Sequence, residues 1–214
     1  MKRSADKTKA KAEPFSVSVD DMRRSDAYTI EHSVPGGELM RRAALGVFHA
    51  ADWRGGVAIV SGGGNNGGDG YALACVLARH GVRPVVYRVG EGVTDTARPF
   101  LDEARELGVD ILPFREDTDL SGFDMVADCI LGTGFKGPVR GLAREAIRAI
   151  NASGAYVVSV DINSGLDGDT GAAELAVASD LTVSIGFYKK GMLTCAAKKY
   201  IGALVNADIG ITRA

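Results

Sequence analysis

Val57-Ala58-Ile59-Val60 runs directly into Ser61-Gly62-Gly63-Gly64-Asn65-Asn66-Gly67-Gly68-Asp69-Gly70, and that junction decides the fold. The first four residues are an apolar run without polar alternation, as a strand covered on both faces requires. Gly62, Gly64 and Gly67 then satisfy G-x-G-x-x-G in the strand-to-helix setting where that spacing matters. The pattern predicts a loop whose glycines allow positive φ and close backbone approach, followed by a helix from near Tyr71. Free N–H groups at such a helix start suit a phosphate. A glycine-rich turn that holds no ligand is the competing explanation of this one loop.

Working outward, similar apolar runs recur at Pro84 to Val89, Met125 to Ile130, Ala155 to Val160 and Leu181 to Ile185, with weaker ones at Ile111 to Phe114 and Ala203 to Ile209. Between them, Ala97, Phe100, Leu101, Ala104 and Leu107 form one helical stripe, and Leu142, Ala146, Ile147 and Ile150 another. Upstream, Asp20 and Asp21 favour a helix start, and Pro35-Gly36-Gly37 separates that short helix from a second with Met40, Ala43, Ala44, Val47 and Ala51 on one face. Strands alternating with helices predict an α/β fold, a Rossmann-like three-layer sandwich whose mostly parallel sheet has helices on both faces.

Two more strands end in informative loops. Met125 to Ile130 leads into Gly132-Thr133-Gly134-Phe135-Lys136-Gly137-Pro138, and Asp128 lies inside the apolar strand itself. A buried carboxylate is costly unless it is paired, hydrogen-bonded or bound to a cation, so a helix cap, a salt bridge to Lys136 and a cation site all remain open. Ala155 to Val160 leads into Asp161-Ile162-Asn163-Ser164-Gly165-Leu166-Asp167-Gly168, where Asp161 is either an Asx-turn residue or a functional carboxylate. In a parallel sheet all three loops leave the same edge, where such folds bind ligands. Asp69, Asp128, Asp161, Thr133, Ser164 and Lys136 can then converge with backbone donors on one phosphate-bearing small molecule.

Composition narrows the classes further. The 25 basic and 27 acidic side chains among 214 residues leave a net charge of −2, so no overall field favours nucleic acid or an anionic membrane. Cys75, Cys129 and Cys195 are odd in number and far apart, which argues against a disulfide framework and for a reducing, cytoplasmic setting. His32, His49 and His80 show no metal-ligand spacing. Residues 1–13 carry five basic side chains and no apolar core, so they read as a disordered basic tail ahead of a single domain over 14–214. Of the 28 glycines, six lie in 62–70, four in 132–141 and three in 165–171, so the surplus marks the three loops.

Asn65-Asn66-Gly67-Gly68-Asp69-Gly70, Gly132-Thr133-Gly134-Phe135-x-Gly137-Pro138, Val160-Asp161-Ile162-x-Ser164-Gly165-Leu166-Asp167 and Asp208-Ile209-Gly210-Ile211 resemble, in order and spacing, the NAD(P)H-hydrate epimerase family, the YjeF N-terminal domain. The resemblance runs from about Val17 to Ile211. It implies a commonly dimeric enzyme that interconverts the R and S epimers of hydrated NADH and NADPH (NADHX and NADPHX), with a separate dehydratase acting on the S form. Carried over by position, Asn65, Asn66, Gly67, Gly68, Asp69 and the segment Gly132, Thr133, Gly134, Phe135, Lys136, Gly137 and Pro138 would bind the dinucleotide. Asn66, Asp128 and Ser164 would hold a potassium ion, and Asp161 would sit at the reacting ring. Carboxylate, amide and hydroxyl oxygens are donors that a hard cation accepts.

Within that resemblance Asp161 is the expected proton-transfer group, because inversion at the hydroxyl-bearing carbon needs a proton moved at the hydroxyl. Lys189 matches the lysine of the family's K-P-G segment. It reads either as a partner that orients Asp161 or as a solvated turn residue; a close lysine would favour the ionised carboxylate. Asn163 stands where the family usually has proline, which predicts a looser loop and a weaker cation site. Lys190 also replaces a proline. Two other functions compete: an NAD(P)-dependent oxidoreductase, with Arg88 or Glu91 selecting the cofactor, and a non-catalytic scaffold or nucleotide-binding domain of the same fold.

Overall fold

The computed structural model describes residues 14–214; the basic segment 1–13 lies outside the described residues. Seven strands, β2 (Val57–Ser61), β3 (Pro84–Arg88), β4 (Asp110–Pro113), β5 (Met125–Cys129), β6 (Tyr156–Val160), β7 (Ser179–Ile185) and β9 (Ile201–Ala207), form one sheet in the order β4-β3-β2-β5-β6-β7-β9. Every neighbouring pair is parallel. All seven apolar runs are therefore strands, displaced by a residue or two at their ends.

Handedness explains the layers. From β2 the chain moves outward through α3 (Asn65–Arg79), β3, α4 (Arg98–Glu106) and β4, then returns to β5 on the other side of β2 and moves away through α5 (Gly141–Ala152) and β6. Right-handed crossovers in opposite directions put their helices on opposite faces. Accordingly Val57 and Ile59 share a core with Leu73, Leu77 and Leu101, whereas Ala58 and Val60 share one with Ile147 and Ile150. α1 (Val19–His32) starts at Ser18, whose hydroxyl accepts from the Asp21 N–H, and α2 (Gly36–Ala50) follows after Pro35. Met40, Ala43, Ala44 and Val47 are buried in the core that α3 and α4 also fill. The reversal between β2 and β5 is a topological switch point, the place where open parallel sheets bind ligands.

Two short elements escape the periodicity of the sequence. β1 (Ser16–Val17) pairs in parallel with β8 (Tyr188–Lys189), tying the chain ahead of α1 to the segment after β7. Two residues are too few for an alternation to register.

Candidate functional site at the switch point

The largest local departure from expectation is that α3 begins at Asn65, not near Tyr71, so Asn65 to Gly70 is the opening of a helix. None of the glycines in 62–70 has positive φ. Their function is close approach. A Cβ on Gly67 would stand 1.8 Å from the Gly62 carbonyl oxygen, and one on Gly68 would meet Met40 Cε at 2.6 Å and Ala97 Cβ at 2.7 Å. Glycine thus lets the first turns of α3 press against the end of β2 and against α2. Gly64 caps the helix without a side chain, so no side chain covers its first N–H groups, and Gly64, Asn65 and Asn66 line the switch-point crevice. Because the Gly67 contact is with backbone, Gly67→Ala should cost about 2–3 kcal/mol by overpacking; a thermal melt within a degree of wild type would contradict that close packing.

Beneath the crevice lies a buried polar hub. Asp128 is fully buried on β5 and accepts from the Ser159 hydroxyl at 2.9 Å, the Ser164 N–H at 2.9 Å and the Ser164 hydroxyl. Burial still pushes its carboxyl above the ordinary aspartate range, and these hydrogen bonds pull it part of the way back. Its partners are two serines and, at 3.3 Å, the Ile130 N–H, so neither a helix cap nor a bridge to Lys136 accounts for it. Asn66 is buried too. Its Nδ2 donates to the Leu131 carbonyl at 3.1 Å, the Leu131 N–H donates to Ser164 Oγ at 2.8 Å, and Asn66 Oδ1 has no partner among the described residues. An orphaned amide oxygen in this position is costly unless something electropositive meets it.

Asp161 directly follows β6 with φ of 68°, the sole non-glycine residue with positive φ among those described. Strain of that kind is retained where the surroundings over-determine it, commonly at functional sites. What fixes it here is Lys189, completely buried, whose ammonium donates to Asp161 Oδ1, to the Ile185 carbonyl at 3.0 Å and to Ser184 Oγ at 3.2 Å. A solvated turn lysine is thereby excluded. Pairing and two further acceptors are what a lysine at this depth requires.

A pocket of about 680 Å³ opens over these groups. Gly63, Gly64, Asn65 and Asn66 line it from the β2 end, Leu131 to Phe135 from the β5 end, and Asp161 from β6. Asp69 faces it from α3, its carboxyl held well above the usual range by burial and then by repulsion from Asp161 and Asp26. The structure therefore gathers most of the expected residues around one cavity. Gly67, Gly68, Asp128, Ser164 and Lys189 do not line it but support residues that do, whereas Lys136, Gly137 and Pro138 lie apart. After Phe135 the chain turns, with Gly137 at φ 89°, and these three line a separate hollow of about 540 Å³ beside Asp167 and Thr170. Lys136 thus does not converge with Asp128 and Asp161.

Two further departures bear on the site. Asn163 does not loosen its loop: it is fully buried, Nδ2 lies within 3.0 Å of the Val177 and Tyr200 carbonyls and of Ser179 Oγ, and Oδ1 accepts from Thr182 at 2.7 Å. Hydrogen bonds to β7 and its approaches replace the rigidity of proline. Asp26 on α1 also lines the pocket and was not singled out by sequence pattern. The available signal was its i+4 spacing from the apolar Met22, which puts a carboxylate on a core-facing stripe.

The sequence profile described as YjeF-related protein N-terminus matches residues 36–191, most of the chain. The chain belongs to this family. Among YjeF-related proteins, an NAD(P)H-hydrate epimerase of Levilactobacillus brevis is 34% identical over 204 residues, covering 91% of this chain and 94% of that one. An NAD(P)H-hydrate epimerase of Limosilactobacillus fermentum is 33% identical, with 90% and 95% covered. The bifunctional NAD(P)H-hydrate repair enzyme Nnr of Coxiella burnetii is 32% identical over 89% of this chain but only 40% of its own length. Among solved structures, that of yeast ynu0 superposes with a TM-score of 0.72 at 25% identity, covering 83% of this chain and 82% of the other. The YjeF-related N-terminal fold is thus the three-layer arrangement of β2 to β9 described above.

Proposed function

We propose that this protein is an NAD(P)H-hydrate epimerase, which interconverts the R and S forms of NADHX and NADPHX in the repair of nicotinamide nucleotides. The observation that carries this function is the strained Asp161 carboxylate, tied to the buried Lys189 and facing a switch-point pocket. Hydration leaves a carbon bearing both the ring nitrogen and a hydroxyl, and such a carbon inverts through loss and return of water or through ring opening and closure. Either route needs a positioned carboxyl group. Held in place by the buried Lys189 and facing the pocket, the Asp161 carboxylate is placed to accept a proton. Asn65 to Asp69 and Gly132 to Phe135 would bind the dinucleotide, its phosphates at the start of α3. Lys136, Gly137 and Pro138 would reach only a part of the substrate that extends beyond the main pocket.

Potassium fits the buried hub, where Asn66, Asp128 and Ser164 would hold it. The unpartnered Asn66 Oδ1 favours a cation there. Among the described residues no three His, Cys, Asp or Glu side chains are grouped so that they could hold one ion, so an ion at the hub would rest largely on neutral oxygens, as alkali cations accept. Bound there, it would offset the Asp128 charge and fix the ends of β5 and β6 relative to α3.

The remaining assignments follow the family: residues 14–214 acting as one catalytic unit, a homodimer, a cytoplasmic setting, and a separate dehydratase to consume the S form. The bifunctional relative, of which this chain matches 40%, has ample further length for that second activity. No described helix is long and apolar enough to cross a membrane. The oxidoreductase alternative loses its support because neither Arg88 nor Glu91 lines the pocket; Arg88 is bound to the Tyr71 hydroxyl and the Glu91 carbonyl. A scaffold would have no use for a strained carboxylate on a buried lysine. Chromatography of the two epimers, started from pure R form, tests the function: the protein should equilibrate them well above the buffer rate while total hydrate stays constant. A rate equal to that of buffer would remove the assignment.

A further inference from the structure

Asp26 is a carboxylate in an unexpected place. On α1, Met22, Asp26 and Ile30 follow one another at four-residue spacing and all line the pocket, so Asp26 interrupts an otherwise apolar stripe. Among the described residues no hydrogen bond reaches its carboxyl, so neither capping nor pairing accounts for it. Its helix is firmly placed. The Val19 N–H donates to Asp169 at 2.8 Å, the Thr212 N–H donates to the Thr29 hydroxyl at 2.9 Å, and Met22 packs against Gly186, next to the Ile185 whose carbonyl holds Lys189. α1 therefore sets Asp26 over the same cavity as the Asp161–Lys189 pair.

We infer that Asp26 is a second catalytic residue, the proton donor to the substrate hydroxyl, working opposite Asp161 as the base; this rests on the epimerase function proposed above. In the R to S direction the Asp26 carboxyl gives its proton to the C6 hydroxyl, the C6–O bond breaks, and its electron pair leaves on water. The ring-nitrogen lone pair forms the N1=C6 bond of an iminium ion. Water adds to the other face, the N1=C6 pair returns to nitrogen, and the proton lost from that water goes to Asp161. One proton and one water enter and one of each leaves, so solvent exchange in the open pocket restores both carboxyl groups. The positive intermediate lies between the Asp161 carboxylate and the carboxylate left on Asp26, both of which line the cavity.

The surroundings tune Asp26 for this task. Burial and the Asp161 charge push its carboxyl up to about 6, against the pull of Lys189. Asp69 on α3 and Arg23 on its own helix are the other titratable or charged groups lining the cavity. A carboxylic acid titrating near there donates readily at neutral pH, and kcat/KM reports the free enzyme's acid and base.

The test measures R to S conversion across pH, with the buffer rate subtracted, for wild type and Asp26→Asn, together with their melting curves. Wild-type kcat/KM should fall about tenfold per pH unit above about pH 6. The Asn variant, whose shape and lack of partners preserve the fold, should melt like wild type. It should lose about 100-fold or more in activity and lose the alkaline limb of the profile. A wild-type profile that stays flat above about pH 6 overturns the inference without any variant. An Asn variant within about threefold of wild type overturns it while leaving the epimerase function standing. An inactive wild type removes both.

Discussion

Asp161→Asn should abolish epimerisation, by about 10²- to 10⁴-fold, and destabilise the protein at the same time. Asparagine is the informative replacement because it tolerates positive φ, so the backbone at 68° survives and only the charge is lost. Two effects then separate. In activity, the proton acceptor at the substrate carbon is gone. In stability, Lys189 is left completely buried without its anion, keeping only the Ile185 carbonyl and the Ser184 hydroxyl. Removing one partner of a buried pair costs about 3–5 kcal/mol, and at about 2–4 °C per kcal/mol for a chain of this size the melt should drop by roughly 10 °C. Adding Lys189→Met removes the orphaned ammonium, so Asp161→Asn/Lys189→Met should regain much of the stability and none of the activity. Full activity in Asp161→Asn would end the proton-transfer assignment. Restored activity in the double variant would show that the charge pair matters only for folding.

How far the sequence carried these inferences depends on whether each feature is local. The strands were legible because runs such as Val57 to Val60 and Met125 to Ile130 are buried on both faces, and burial on both faces erases alternation within the run itself. The convergence of three loops followed from parallel topology alone. The start of α3 was not legible, because Gly67 and Gly68 read as loop by composition, whereas what demands glycine is contact with Gly62, Met40 and Ala97. Glycine in a helix is disfavoured by propensity, and tertiary packing overrode it. Lys189 was ambiguous for a related reason: its burial depends on the β1–β8 bridge, which joins residues far apart in the chain. Asn163 shows the opposite error. Lost proline suggested flexibility, but the hydrogen bonds that compensate come from Val177, Ser179, Thr182 and Tyr200, which only the folded sheet brings near.

The same distinction sorts the candidate site into a cavity-lining wall and a supporting floor. Asp161, Asp26 and Asp69 line the cavity and would meet what enters it. Asp128 and Ser164 do not line it; they act through Asn66 and Leu131, which do. A floor residue is therefore expected to change stability and substrate affinity together, and a wall residue to change chemistry. Ser164 links the two, since its main chain follows Asp161 by three residues while its N–H and hydroxyl hold Asp128.

Potassium should raise the melting temperature markedly, and the rise should depend on the floor. The amide of Asn66 is oriented by its Nδ2 donation to Leu131, which commits Oδ1 to the unpartnered direction; reorienting it would break that bond. Asp128 accepts three serine hydrogen bonds yet is still driven by burial toward its neutral form, so a nearby positive charge would relieve both groups at once. An ion that binds only the folded chain stabilises it by about 2.7 kcal/mol at about 100 times its dissociation constant. For a chain of this length that corresponds to a rise of roughly 5–10 °C on replacing choline chloride with potassium chloride at equal ionic strength. Sodium, smaller and more tightly hydrated, should give less. Asn66→Ala and Asp128→Asn should each melt lower than wild type and no longer distinguish potassium from choline. Wild-type melts that coincide in the two salts would remove the cation from this site, leaving Asn66 Oδ1 as an unsatisfied group whose cost the rest of the hub must carry.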